Sequence, residues 1–421
     1  MIANIITIGD EILIGQTVDT NSGWIGAQLN RLGIVIGEVV SISDNAEQII
    51  SSVDRCLKQC DLLLITGGLG PTRDDLTKAT LCEYFGGKLV RVPEIEQRIV
   101  EFFTRFDRKV LEVNRQQADL PDNCTVLTNS IGTAAGMLWE KDQKVIVSMP
   151  GVPYEMKAIV EEELIPFLQN NKLPKRTVVH KNVLTAGIGE SSLAEILKHW
   201  EDKVRNSGYS LAYLPNPGSV KLRVSYSGDK KEGEVNEVIA GYISELKSLI
   251  PEYFIAEEEK SFTKVVGKLL RKHGKMVGVV ESCTGGAIAK LFTQESGCSS
   301  YFKGGVTAYN NDLKTSLIGV DPYIIYNEGA VSEACARELA VKGRDVLGVD
   351  YCISTTGVAG PDGGSEEKPV GLVYTAVAGP EGVMVHENRF GGNRNRIITR
   401  VSTKILCELL KMLQNDFSDS N

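Results

Sequence analysis

Short apolar runs, each closed by a glycine or an acidic residue and followed by a segment of helical periodicity, recur at both ends of this 421-residue chain. Ile2 to Ile8 is the first, and it stops at Gly9-Asp10-Glu11, as a strand buried on both faces does. The stretch after it carries Trp24, Ile25, Leu29 and Leu32 at helical spacing, with Gly33 as its stop. Ile34 to Ile42 reads as a second strand, Ala46 to Lys58 as a second helix, and Asp61 to Thr66 as a third strand ending in GGLGPTRDD. This βαβαβ alternation predicts a doubly wound parallel sheet, whose ligands sit beyond the carboxyl ends of the strands. A second half, from about Leu81 to Leu168, holds the polar segment Asn114 to Gln117, the turn Asn129 to Gly136 and a strand, Lys144 to Met149, closed by Pro150-Gly151-Val152-Pro153.

At Asn170 to Pro174 the pattern turns into a polar linker. Beyond it Arg176 to Leu184 and Lys221 to Tyr226 read as strands, Glu190 to Val204 and Glu232 to Leu249 as helices, and Leu214 to Gly218 as a turn. The acidic Glu257-Glu258-Glu259 reads as the solvated start of helix Phe262 to Lys272. The α/β rhythm then resumes, with strands Met276 to Val280, Gly305 to Tyr309, Tyr351 to Thr356 and Val370 to Val377, and helices from Gly285, from Ser332 to Leu347 and from Arg394. The expected fold class is therefore α/β: two three-layer αβα domains, 1–170 and 258–416, joined by a small α+β module, 175–252.

Charge narrows the partners. A formal net charge of -8 with no Lys/Arg cluster argues against a nonspecific nucleic-acid binder. The nine cysteines lack zinc spacing, Cys56 and Cys60 being the closest pair, and are expected to be reduced. The first residues lack a basic n-region and read as a strand, and no apolar run reaches membrane-spanning length, so a cytoplasmic protein without a membrane partner is expected. Three small domains offer large faces, and a homodimer is the expected assembly.

The candidate chemistry sits at strand ends. In VGVVESCTGGAIAK, Val277 to Lys290, a strand breaks at Glu281 to Gly286 and becomes a helix, which makes Ser282 either part of a turn capped by Thr284 or a nucleophile beside free N–H groups. Tyr309 to Lys314 and Thr355 to Ser365 occupy two further strand ends, so the three loops are expected to converge on one edge. None of the four histidines, His180, His199, His273 and His386, lies in these loops. A serine there needs another base, and a desolvated Lys314 would serve, unless it is an ordinary surface lysine. Cys283 is a rival nucleophile. Arg394 opens the last helix and suits a phosphate.

At the amino-terminal end, Asp10, Glu11, Asp74 and Asp75 offer hard oxygen ligands, while Gly67, Gly68 and Gly70 let phosphate approach the backbone. The bland alternative is that Asp74 and Asp75 cap the following helix.

ESCTGG, GGVTAYNNDLK, GAVSE (Gly329 to Glu333) and GVAGPDGGSEEKPVG (Gly357 to Gly371) together resemble the CinA carboxyl-terminal domain, the PncC-type nicotinamide mononucleotide amidohydrolase. The resemblance implies deamidation of nicotinamide mononucleotide (NMN) to nicotinate mononucleotide and ammonia, in pyridine nucleotide salvage and without a cofactor. Ser282 would be nucleophile and Lys314 base, with Tyr309 beside it. Thr284, Gly285 and Gly286, the loop residues Thr356, Gly357, Gly360, Gly364 and Ser365, and Arg394 would bind substrate. GDE and GGLGPTRDDLT, with NRQQA, NSIGTAAG and MPGVPYEMK, resemble the MoaB/MogA-like amino-terminal domain of CinA. That likeness implies an ADP-ribose pyrophosphatase yielding AMP and ribose 5-phosphate. Asp10, Glu11, Asp74 and Asp75 would hold a divalent metal, Mg²⁺ or Co²⁺-like, with K⁺ alongside, and Gly67, Gly68, Gly70 and Thr72 would bind substrate. The middle module corresponds to the family's KH-like domain; it lacks a GXXG loop, so RNA binding does not follow. The alternative is a molybdopterin-type binding or competence-associated interaction protein with one or both sites inactive.

Overall fold

The computed structural model describes residues 1–72, 75–173, 177–257 and 261–418. Two compact units result, 1–179 with 227–232 and 180–226 with 233–421. In the first unit the strands are β1 (Ile2–Ile8), β2 (Val35–Ile42), β3 (Leu62–Thr66), β4 (Leu89–Arg91), β5 (Asp119–Pro121), β6 (Thr125–Leu127), β7 (Gly136–Lys141) and β8 (Lys144–Met149). Six of them form a sheet in the order β2-β1-β3-β8-β7-β6, while β4 and β5 make a separate ribbon. Side chains alternate between its faces: Ile5, Leu62 and Leu64 pack under helix Asn21–Arg31, and Ile6, Leu63 and Ile65 pack with Ile49 and Val53 of helix Ala46–Leu57. This period of two on a sheet buried on both faces produces the three layers.

The sheet is mixed, where a wholly parallel one was expected. β2, β1, β3 and β8 run parallel, but β7 and β6 are antiparallel. The cause is local: Asp142 and Gln143, at φ 50° and 64°, make a two-residue turn that folds β7 back onto β8.

In the second unit, β9 (Thr177–Ala186), β10 (Ser210–Asn216), β11 (Ser219–Gly228) and β12 (Phe254–Glu257) form a sheet ordered β10-β11-β9-β12. Helices Glu190–Asn206 and Glu232–Leu249 supply its buried Leu193, Leu197, Trp200, Ile239 and Leu246. Leu214 to Gly218, expected as a turn, is instead the end of β10 and the tip of a hairpin pairing Asn216 with Ser219. Glu257 ends β12 rather than starting a helix, and Glu258 and Glu259 lie outside the described residues.

The remaining strands are β13 (Val277–Glu281), β14 (Phe302–Thr307), β15 (Tyr351–Gly357), β16 (Leu372–Gly379) and β17 (Gly382–Arg389), ordered β14-β13-β15-β16-β17. β14, β13 and β15 are parallel and the last two antiparallel. Helices Phe262–Lys272 and Arg394–Ser418 cover one face and Glu333–Leu347 the other. Leu184, Ala186 and Ile255 of the middle sheet enter the same core as Val266, Leu270, Ile405 and Leu409, which ties that module to the carboxyl-terminal domain. Among the described residues no helix is long and apolar enough to cross a membrane. All nine cysteines are free thiols.

The chain sends β14 to one side of β13 and β15 to the other, so the strand order reverses at the carboxyl end of β13. In the first unit β1 is flanked in the same way by β2 and β3. Both reversals leave a crevice at the strand ends where a ligand fits.

Candidate functional site

The carboxyl-terminal site begins at Glu281. Its buried carboxylate turns back under the loop, Oε2 accepting from the N–H groups of Gly286 (3.0 Å) and Ile288 (3.1 Å) and Oε1 from that of Ala289 (2.8 Å). It thereby satisfies the start of helix Ala287–Thr293, which has no other side-chain cap. The Ser282 N–H donates to the Thr355 carbonyl at 3.0 Å, pinning the serine to β15.

Ser282 then lines a cavity of about 300 Å³ with Tyr309, Asn311, Lys314, Thr356, Gly357, Gly360, Asp362 and Arg394. Lys314 is only 2% exposed, which removes the surface-lysine alternative. Its ammonium donates to the Tyr309 carbonyl at 3.1 Å and reaches Asn311 Oδ1 at 3.5 Å, and no carboxylate pairs with it among the described residues. Burial pushes its pKa down, because the charged form is desolvated without a counter-ion. Arg394 donates to the Gly360 carbonyl (2.8 Å) and to the Tyr309 hydroxyl (2.9 Å). Cys283 also borders the cavity but packs into an apolar cluster with Ala359, Val373, Ile397 and Val401, and burial pushes its thiol up to about 12. A thiol so protonated is a poor nucleophile.

Thr284, Gly285 and Gly286 stand apart from this cavity lining. The Thr284 hydroxyl is paired with that of Thr355 at 2.7 Å, the Gly285 N–H is bonded to the Ser282 carbonyl, and the Gly286 N–H is taken by Glu281. Gly364 and Ser365 are also outside it, Ser365 closing a turn with Lys368. Asn311 and Asp362 join the lining without having been singled out in the sequence; both sit in loops that had been.

The amino-terminal cavity, about 570 Å³, is lined by Glu11, Asp44, Asp75, Gly67, Gly68, Gly70 and Thr72 among others. Gly67 has φ 116°, and a Cβ on it would lie 2.1 Å from the Ile8 carbonyl oxygen, so no other residue fits there. Asp75 closes a turn, Oδ2 accepting from the N–H (2.9 Å) and hydroxyl (2.5 Å) of Thr72. Asp10 accepts from the Ser43 hydroxyl and stands off the lining, and Asp74 lies outside the described residues. Asp44, at the end of β2, was not legible as a site residue, although the adjacent parallel strand end was its signal. Burial raises its pKa, and the charges of Asp10, Glu11 and Asp75 raise it further. Among the described residues no three donors stand close enough to hold a metal alone. Asn21 and Gln117 also line the cavity, and among the described residues their Oδ1 and Oε1 are buried without a hydrogen-bond partner. Glu155, raised by burial, accepts from Asn129 Nδ2 at 2.5 Å.

Residues 4–170 match the family described as a probable molybdopterin binding domain, 180–256 the damage-inducible protein CinA KH domain, and 259–413 the CinA C-terminal domain. A CinA-like protein of Flavobacterium psychrophilum is 40% identical, over 99% of this chain and 100% of its own. A putative competence-damage inducible protein of Halothermothrix orenii is 39% identical over 94% of this chain and 95% of its own. The solved structure of the competence/damage inducible protein CihA from Agrobacterium tumefaciens is 34% identical, covering 37% of this chain and 97% of that one, with a TM-score of 0.35.

Proposed function

The chain belongs to the CinA family, and on that footing we propose that it recycles pyridine nucleotides. Its carboxyl-terminal domain deamidates NMN, and its MoaB/MogA-like domain hydrolyses ADP-ribose to AMP and ribose 5-phosphate. The observation that carries the first activity is a buried lysine without a carboxylate partner in the same cavity as a strand-end serine. Burial lowers the pKa of such a lysine, which favours the neutral amine that acts as a base.

In this reaction Lys314 takes the proton of Ser282 Oγ as that oxygen bonds to the carboxamide carbon. The proton passes to the amide nitrogen, the C–N bond breaks, and ammonia leaves an ester on Ser282. Water, deprotonated by Lys314, attacks the ester, restoring Ser282 and releasing nicotinate mononucleotide. Arg394, fixed by Gly360 and Tyr309, offers its remaining N–H groups to the phosphate. Release of ammonia from NMN, lost in Ser282→Ala, tests this; no release from NMN by the wild-type protein overturns it.

At the amino-terminal site the crowding of Asp44 by Asp10, Glu11 and Asp75 fits a divalent cation. Glu11, Asp44 and Asp75 would hold it together with the substrate's own phosphates, since no all-protein cage exists among the described residues. The cation supplies charge neutralisation of the pyrophosphate. Gly67 and Gly68 allow phosphate close to the backbone, and Asn21 Oδ1 and Gln117 Oε1 accept from substrate hydroxyl or amino groups. AMP production from ADP-ribose, with and without a chelator, tests this half.

A further inference from the structure

Where the middle module meets the carboxyl-terminal domain, a second cavity of about 400 Å³ opens that shares no lining residue with the Ser282 cavity. Its walls belong to one packed unit, because Ala186 and Ile255 sit in the same core as Ile405 and Leu409, and the Thr403 hydroxyl donates to the Pro217 carbonyl at 3.3 Å. Helix Arg394–Ser418 presents Arg400, Lys404 and Lys411 to it. The facing wall is Gly187-Ile188-Gly189, the turn that opens helix Glu190–Asn206; Gly189 is its N-cap and no side chain caps it. Uncapped N–H groups at the start of a helix this long carry partial positive charge.

The charges in the cavity are not matched. Lys404 lies 3.3 Å from Glu408 Oε1. Among the described residues neither Arg400 nor Lys411 has a carboxylate partner, Arg400 lying instead over the Phe390 ring and donating to the Gly391 carbonyl at 3.4 Å. Glu190 is the other acid in the lining. Glu408 is itself 3% exposed and fully engaged: Oε2 accepts from the Thr375 hydroxyl at 2.8 Å, and Oε1 lies 3.2 Å from His386 Nδ1 and 3.3 Å from Lys404 Nζ. It therefore answers the Lys404 charge and leaves those of Arg400 and Lys411 facing the cavity.

We propose that this cavity binds a small phosphate ester, its phosphate held by Arg400, Lys411 and the first-turn N–H groups of helix Glu190–Asn206. Two unmatched cations and an uncapped helix start stand together in the lining, and the volume suits a small ligand of this class. Nothing in the Ser282 chemistry requires the site.

Hydrogen exchange of the full chain, with ribose 5-phosphate or inorganic phosphate as probe, reads the site locally and apart from any binding elsewhere. Ribose 5-phosphate slows exchange of the Gly187 to Leu193 segment saturably, and Arg400→Gln with Lys411→Gln weakens that protection roughly tenfold or more. Arg394→Gln leaves it unchanged. No protection of the segment at millimolar probe, or protection indifferent to the double substitution, overturns the site.

Discussion

Arg394 and Tyr309, 85 residues apart in sequence, meet at the mouth of the Ser282 cavity, where the guanidinium donates to the phenolic oxygen at 2.9 Å and to the Gly360 carbonyl at 2.8 Å. One side chain thus ties the loop after β14, the loop after β15 and the start of the last helix. Tyr309 is 57% exposed, so this clamp and not burial holds it. Arg394→Lys cannot reproduce two directed bonds. It is expected to raise KM for NMN by roughly 30–100-fold with a smaller effect on kcat. Nicotinamide riboside, which lacks the phosphate, is expected to lose far less. Equal losses for the two substrates, in steady-state assays of ammonia release, would mean that Arg394 only positions Tyr309.

Ser282 and Cys283 both border the cavity, but the serine sits on a pinned strand end while the thiol packs into the apolar cluster of Ile397 and Val401. Ser282→Ala is expected to lower kcat by about 10³ or more, and Cys283→Ala to leave it within about threefold. The buried thiol should also resist alkylation at neutral pH, since its pKa is pushed up to about 12. A Cys283→Ala loss matching that of Ser282→Ala would transfer the nucleophile's role to the thiol.

Lys314 carries a cost in stability. Its folded-state pKa is lowered below the ordinary lysine value by burial, so between the two values the unfolded chain holds the extra proton. The penalty is fully present below the folded pKa and is relieved as pH rises towards the unfolded one. Lys314→Met is therefore expected to end ammonia release yet stabilise the protein at neutral pH by about 1 kcal/mol, roughly 2–4 °C in Tm. The wild-type rate should rise with pH as Lys314 loses its proton, with a midpoint below 10.5. A lower Tm for Lys314→Met in calorimetry would show that the lysine is structurally satisfied.

Much of this was legible because strong local signals agreed with the fold. β1, β3 and β13 are runs buried along nearly their whole length; β1 and β3 are followed by a glycine at the crevice, and β13 ends there on Glu281. The hairpin strands were harder: β10 and β17 mix exposed and buried positions, and β7 is defined by an Asp142-Gln143 turn rather than by a glycine signal. At the site, Ser282, Lys314, Tyr309 and Arg394 were recoverable from their loops. The roles of Glu281 and Thr284 were not, because only the folded geometry shows that the glutamate consumes the loop N–H groups and that the threonine pairs with Thr355. Asp44 escaped for a related reason, since its neighbours Glu11 and Asp75 come from other strand ends.

That role makes Glu281 a structural test of the turn. Glu281→Gln keeps the shape but offers one acceptor oxygen where three N–H groups converge. The loss of charge-assisted bonds is expected to cost about 2–4 kcal/mol and to lower ammonia release along with it. Urea unfolding monitored together with activity separates the two; an unchanged midpoint would show that the helix start is satisfied without the carboxylate.

The amino-terminal cavity offers the test least dependent on the amidase. Asp44 is crowded by Asp10, Glu11 and Asp75, so bound divalent cation should relieve repulsion and raise Tm, an effect independent of turnover. AMP release from ADP-ribose is expected to stop in a chelator and return with added Mg²⁺ or Co²⁺. Asp75→Asn should weaken both the Tm shift and the rate, although the Thr72 turn can survive because the amide oxygen still accepts. Gln117→Leu removes an acceptor that no group among the described residues satisfies, so it should spare or slightly raise stability while raising KM about tenfold. AMP release that persists in chelator and in Asp75→Asn removes the metal from this site, and an unchanged KM in Gln117→Leu removes that glutamine from substrate recognition.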